Sequence, residues 1–250
     1  MIKTLLPVAL GAVVWASLSA SGAADQDPLI AVPNAYQLEF ENAWVKVVRV
    51  RYAPKAVVAP HFHTEQASAY VYLNDGGPIL FKHEGLPYAA VTRPATKAGS
   101  FRVYKGLKEV HSVENPTEIL SDFLRVEFKT EPIDEATLRG KFFRDATIPA
   151  ATQERVQFEN AQIRITRVIV ASGGRFEVRA SAEAPSLLVY LTSTGDEPSL
   201  SVAAESTYFD VGDTEWLDVG GVTTLRGAAT AAAEVLRFDF KTRPAANTGN

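Results

Sequence analysis

The stretch FENAWVKVVRV at residues 40–50 returns as FENAQIRITRV at residues 158–168. Two further stretches follow it in the same order. YVYL (70–73) returns as LVYL (188–191) at the same offset, and LRVEFKT (124–130) returns as LRFDFKT (236–242) after the loss of a few residues. A unit of this length is too long for a solenoid turn or a propeller blade, which run to roughly 20–50 residues. It is the size of a small domain. The chain therefore reads as two copies of one domain, 36–130 and 154–242, joined by a linker at 131–153.

Within each copy the pattern is that of strands. WVKVVRVRY (44–52), AYVYL (69–73) and FLRVEFK (123–129) alternate apolar and polar side chains, and so do IRITRVIV (163–170), LLVYL (187–191) and VLRFDFK (235–241). A period of two predicts half-buried strands. Clusters of turn-forming residues such as NDGGP (74–78) and TGDEP (194–198) separate them. The one short helix expected lies in the linker, around IDEATLRG (133–140). Many short strands between turns predict an all-β sandwich or barrel in each half.

Composition narrows the function. Hydrophobic residues make up 46% of the chain and charged residues 22%, as in an ordinary globular protein. The formal net charge of −4 argues against a nucleic-acid partner, which would require a basic face to neutralise phosphates. Cysteine is absent, which excludes disulfides, thiolate metal sites and cysteine nucleophiles. At the N-terminus, Lys3 precedes an apolar run from Leu5 to about Leu18, and small residues follow. This is the pattern of a secretory signal peptide over 1–24, cut near Ala23 or Ala24, and the run is short for a membrane span. The mature protein is expected to be periplasmic or secreted, with no membrane span.

The chain has four histidines, and two of them alternate in PHFHTE (60–65). On a strand His61 and His63 leave the same face, with backbones roughly 7 Å apart, so both imidazoles can reach one metal ion. A third, His111, follows in GSFRVYKGLKEVHSVEN (99–115). Neutral imidazole suits Zn, Cu, Fe or Ni. The same pair could also be ordinary core or surface residues. The fourth, His83 in FKHEG (81–85), reads as part of a surface hairpin turn.

At these residues the sequence resembles the cupin superfamily in its two-barrel, or bicupin, form. The family's first motif is a glycine, H-x-H, three or four residues, a glutamate, six residues and a glycine. Here HFH (61–63) matches the pair and Gly76 or Gly77 the closing glycine. The second motif is a glycine, P-x-G, then H-x-x-x-N. Gly99, Gly106 and HSVEN (111–115) match it, with the P-x-G lost and the spacing stretched. The resemblance covers nearly the whole mature chain. It implies two tandem jelly-roll barrels. It also implies one divalent transition metal ion (Fe, Mn, Zn, Ni or Cu) held by His61, His63 and His111 in the N-terminal barrel.

The family's glutamate should fall near residues 67–69, where this chain has ASA. Glu65, two residues past His63, is a candidate fourth ligand. The main expectation is a site of three histidines alone. That arrangement resembles a minority of cupins that includes the thiol dioxygenases and the diketone dioxygenases. Three neutral ligands leave the ion its full charge and open positions for O₂, water or a chelating anion. Tyr70 and Tyr72 share a strand face and Tyr104 precedes the third histidine, so their phenols are candidate catalytic groups. Tyrosine is also a common barrel-filling residue.

The second copy lacks the histidines. The gapless offset carries His61 onto Arg179 and His63 onto Ser181, and counting back from LRFDFKT puts Thr223 in the place of His111. The second barrel is expected to be scaffold or a pocket of another kind, with Arg179 and Arg226 as possible anion holders or solvated surface. The function expected is an exported, metal-dependent enzyme on a small organic molecule, with an oxygenase of the three-histidine type the leading reading and a lyase or isomerase left open. The alternative is a non-catalytic cupin that binds a ligand or partner, with or without metal. A second copy of the chain, as a homodimer, is left open as a partner.

Overall fold

The repeated FENA segments build two matching hairpins. In the computed structural model, which describes residues 27–86, 88–194 and 208–246, β1 (Tyr36–Glu41) turns into β2 (Val45–Tyr52), and β11 (Gln153–Glu159) turns into β12 (Ile163–Val170). Each turn is closed by its asparagine. Asn42 Oδ1 accepts from the backbone N–H groups of Trp44 and Val45 at 2.8 and 3.1 Å. Asn160 Oδ1 accepts from Gln162 and Ile163, both at 2.9 Å. An Asx turn of this kind satisfies two donors that the hairpin would leave unpaired. Each hairpin also carries a bulge at the same place, between Leu38 and Phe40 and between Val156 and Phe158. The expected leader at 1–24 and most of the TGDEP turn lie outside the described residues.

After a four-residue helix α1 (Pro28–Ala31), the first half continues as β3 (Val57–His63), β4 (Ser68–Tyr72), β5 (Ile79–Glu84), β6 (Ala90–Arg93), β7 (Phe101–Tyr104), β8 (Glu109–Glu114) and β9 (Ser121–Phe128). The second half continues as β13 (Arg175–Arg179), β14 (Ser186–Tyr190), β15 (Thr214–Leu217), β16 (Val222–Arg226) and β17 (Ala233–Phe240). The first half has one sheet in the order β1-β2-β9-β4-β7 and the second has one in the order β11-β12-β17-β14-β15. Opposite each lies a second sheet, β3-β8-β5-β6 in the first half and β13-β16 in the second. The topology thus repeats as the sequence does. The expected helix is a single 3-10 turn, Glu135–Thr137. Within the stretch read as linker, β10 (Arg139–Phe142) adds an edge strand beside β7. No helix among the described residues is long and apolar enough to cross a membrane.

The alternation predicts half-buried strands, but the central ones are buried on both faces. Along β2, Val45 and Val47 face one cluster while Val48, Val50 and Tyr52 face another. The first cluster joins the two halves. It contains Val45, Val47 and Phe128 from one copy together with Ile163, Ile165 and Phe238 from the other. The two sheets therefore pack against each other, and their outer faces become the common core.

The polar residues on this shared face repeat as well. Arg49 donates to both carboxylate oxygens of Asp122, at 3.0 and 2.8 Å. In the second copy the buried Arg167 pairs with the buried Glu234, and Arg144 Nε also reaches Glu234, at 2.5 Å. Arg167 then crosses to the first copy and donates to the carbonyl of Gly99 at 2.6 Å. The reverse contact is made at Gly212, where a Cβ would lie 3.2 Å from Arg49 Nη1 and 2.7 Å from a Leu73 methyl. Both glycines have positive φ, +72° and +92°, which a side chain would strain. The interface is a pseudo-two-fold of one arginine–acid–glycine unit.

Candidate metal centre

The inner face of the first barrel gathers the three histidines. His61 and His63 alternate on β3, and His61 pairs in register with His111 on β8. The three rings form a near-equilateral triangle, with centroids 4.9, 4.8 and 4.9 Å apart. One nitrogen from each lies within 4.8 Å of the other two, a set that could hold a metal ion. All three side chains are buried.

Their hydrogen bonds fit ligation. His61 Nδ1 lies 2.8 Å from the carbonyl of Ala59 and donates to it, which leaves Nε2 without its proton. That nitrogen is 3.0 Å from the Tyr36 hydroxyl. Both nitrogens of His111 are buried: Nε2 has no hydrogen-bond partner, and Nδ1 faces only the Glu109 carboxylate, 3.5 Å away. Buried polar groups are normally satisfied, so an unpartnered Nε2 suits His111 to act as a ligand. Arg125 donates to His63 Nδ1, so a metal would take the other nitrogen or displace the guanidinium.

Electrostatics keep His61 and His63 neutral. Burial pushes His61 down to about 4, opposed by its bond to Ala59. Burial, and then the charge of Arg125, pushes His63 well below the usual histidine range. Neutral imidazole is the ligating form. Tyr36 and Tyr52 share a hydroxyl–hydroxyl bond of 2.6 Å. Burial raises Tyr52 to about 12 and Tyr36 well above its ordinary value, so both phenols keep their protons.

The sequence-stated residues divide. Tyr70 and Tyr104 line a cavity of about 420 Å³ that His63 and His111 also border. Tyr72 does not line it. Its ring is buried against Phe123 at 5.9 Å and lies beneath Arg93. Glu65 is exposed and borders a separate depression with Gln66 and Phe128, so it is no fourth ligand. His83 is not on a surface turn. It lies on β5, opposite His111 in register, and its ring is 5.4 Å from that of His111. Asn115 of the second motif is structural: its Nδ2 lies 2.9, 3.0 and 2.8 Å from the carbonyls of Tyr52, Ala53 and Ile119.

Several functional neighbours escaped the sequence reading. Glu109 lies 3.3 Å from His83 Nε2 and 3.5 Å from His111 Nδ1. His83, Glu109 and His111 form a second group close enough for an ion. Parity would have found them, since Ile79, Phe81 and His83 alternate on one strand and Glu109 and His111 on another. Tyr36 and Arg125 carried no such signal, because each is an ordinary residue of a strand far away in sequence.

Among the described residues the second barrel holds no such set. Val178, Leu188, Tyr190 and Leu225 fill its lumen. Thr223 pairs with Val178, not with Arg179, because β3 carries an extra residue between Val58 and His61 that β13 lacks. The gapless offset is thus one residue out on this strand. Val178 takes the place of His61, while Arg179 points outward and pairs with Glu177 at 3.0 Å. Arg226 is exposed as well.

No protein-family model matches the chain, and no curated protein matches it significantly. Solved structures do. The pirin YhhW of Escherichia coli, determined in complex with nickel(II), is 14% identical with a TM-score of 0.55, over 84% of this chain and 91% of its own. The protein YhaK of Escherichia coli is 13% identical with a TM-score of 0.52, over 82% and 91%. The Bacillus subtilis oxalate decarboxylase with Mn(II) centres is 11% identical with a TM-score of 0.50, over 87% and 72%. At these identities the likeness speaks to architecture. With the repeated sheet order and the shared inter-sheet core, it gives this chain the fold of the cupin superfamily in its two-barrel form.

Proposed function

We propose that the chain is an exported bicupin that binds one divalent transition metal ion through His61, His63 and His111 and acts as a metal-dependent enzyme on a small organic molecule, in the manner of a three-histidine dioxygenase. The observation that carries this reading is the triangle of buried imidazoles beside a cavity, with His61 and His63 held neutral and His111 Nε2 unpartnered. Nickel(II) and Mn(II) in two proteins of the same fold support a site for such an ion here, with its identity open among Fe, Mn, Zn, Ni and Cu.

An ion held by three neutral ligands would supply Lewis acidity and open positions for O₂ or substrate. The chain's own groups would do the rest. The carbonyl of Ala59 fixes the tautomer of His61. Glu109, 3.5 Å from His111 Nδ1, would orient that ring. The phenols of Tyr36, Tyr70 and Tyr104 offer donors toward the cavity. The aromatic walls exclude water.

The test joins two measurements on the purified mature protein. Elemental analysis after supplementation with each metal should give about one equivalent, and oxygen consumption should then appear with a substrate panel of small organic acids and enolisable ketones. A protein that loads no metal breaks the reading. Metal retained with no open coordination position, and no turnover, would favour a non-catalytic ligand-binding cupin.

A further inference from the structure

Beside the histidines the same cavity carries a guanidinium with no carboxylate partner among the described residues. Arg93 is 6% exposed. Its Cζ lies 4.9 Å from the ring centroid of Phe123 and 5.4 Å from those of Tyr72 and Phe81. Nη2 donates to the Ser121 hydroxyl at 3.2 Å. Nε and Nη1 have no hydrogen-bond partner, and no carboxylate among the described residues pairs with this side chain. An aromatic cage satisfies the face of a guanidinium through its π-electrons, but the N–H groups point out along the edge and need acceptors in the plane. A buried charge without a counter-ion is costly, so a protein that keeps one in a cavity wall keeps it for something that enters the cavity.

The rest of the wall points the same way. Arg102 stacks on Tyr70 at 4.3 Å and on Tyr104 at 5.6 Å, and its Nε is buried without a partner. Arg125 adds a third guanidinium, though it is paired with Glu127 at 3.0 Å. The one carboxylate among the residues lining this cavity, Glu109, is engaged with His83 and His111. A protein with a net charge of −4 thus surrounds this cavity with excess positive charge. Phe81 lies between the two ends, 5.2 Å from the His111 ring and 5.4 Å from Arg93 Cζ. The volume of about 420 Å³ admits a small organic molecule.

We infer that the cavity's ligand is a small carboxylate with a flat, unsaturated body. Its carboxylate pairs with the free guanidinium nitrogens of Arg93, and its body lies on Phe81 and Phe123 with the far end at the histidines. This names a substrate class for the site and rests on reading the cavity as the substrate pocket. It does not depend on which metal is bound, because Arg93 supplies the charge itself.

Benzoate is the probe, and benzamide, its neutral counterpart of the same shape, is the control. Both are titrated calorimetrically into the purified mature protein, once as isolated and once after chelator treatment. The expected result is that benzoate binds in both preparations and benzamide binds at least about tenfold more weakly, as loss of a charge-assisted bond requires. Arg93→Met should weaken benzoate by about tenfold or more without touching metal content, and Arg93→Lys should recover part of the loss. The wild-type discrimination decides the matter even if a variant fails to fold. A wild type that binds benzoate no better than benzamide overturns the inference. So does benzoate binding that vanishes with the metal and is unchanged in a folded Arg93→Met, which would assign the anion to the ion. Metal stoichiometry is read separately, so the three-histidine reading can fail while the Arg93 inference stands, and the reverse.

Discussion

The two barrels share a strand order, a bulged first hairpin and an arginine–acid pair, yet their lumens differ completely. In the first, the inner face carries His63, Tyr70, Arg93 and His111 around a cavity. In the second, the corresponding space is filled by Val168, Val178, Leu188, Leu225 and Val235, nearly all fully buried. Inner-face positions of a jelly roll are set by parity alone, so they can be exchanged between apolar filler and polar chemistry without altering the sheets. The outer faces had no such freedom, because both copies bury them against each other. One copy could lose its site, while the interface had to be kept on both sides.

The largest expected effect separates the lumens by metal content. His63→Ala should reduce bound metal from about one equivalent to near none, while circular dichroism still reports the β fold. Arg179→Ala and Thr223→Ala should leave the metal unchanged. A full equivalent retained by His63→Ala, or metal lost from either second-barrel variant, would put the site in the wrong barrel.

Much of this contrast was visible before the structure. The FENA repeat announced two domains because the same Asx turn and bulge are rebuilt in each. His61, His63 and His111 could be grouped because strand parity and a known motif converge on them. The bulge in β3 could not be read. It shifts the counterpart of His61 from Arg179 to Val178, and a one-residue slip exchanges the two faces of a strand. His83 reads as a turn residue although the strand runs on to Glu84, because nothing in FKHEG marks where the strand ends and the turn begins. Arg93 looks in sequence like any charged residue of an edge strand, since its value lies in lacking a partner, and partners are a property of the fold.

The next effect concerns the faces the barrels share. Glu234 is nearly fully buried and meets both Arg167 and Arg144. Glu234→Ala leaves Arg167 buried without its carboxylate and should cost about 3–5 kcal/mol. The matching change in the first copy, Asp122→Ala, should cost less, because the Arg49 side chain is 17% exposed and water can take over. Urea denaturation of both variants tests this, and equal losses would mean that the two halves of the interface are not differently buried.

pH should sharpen the comparison further, because every histidine lies in the first copy. His61 titrates near 4 in the folded chain, against about 6.5 when exposed. Between these values the unfolded chain takes up a proton that the folded chain refuses. Stability of the metal-free protein should therefore be constant above about pH 6.5 and fall as pH drops toward 4, by about 3 kcal/mol from this residue alone. His63 and His83, also pushed down, deepen the loss. His61→Gln should flatten the profile, and denaturation curves at several pH values would show it. A profile that stays level from pH 7 to 4 would mean that the imidazoles are not desolvated.

The smallest effect tests the register itself. If the extra residue in β3 shifts the correspondence by one, Arg179 is surface and Val178 is lumen. Arg179 and Glu177 leave 61% and 60% of their side chains exposed, so their ion pair is screened and contributes little. Arg179→Ala should then change stability by no more than about 0.5 kcal/mol. Val178, fully buried, packs in the second lumen, and Val178→Ala should cost about 2 kcal/mol through lost contacts and the cavity it opens. Thermal or urea denaturation of the two neighbours gives the answer in one experiment. A costly Arg179→Ala beside a harmless Val178→Ala would restore the gapless alignment and turn the arginine back into the barrel.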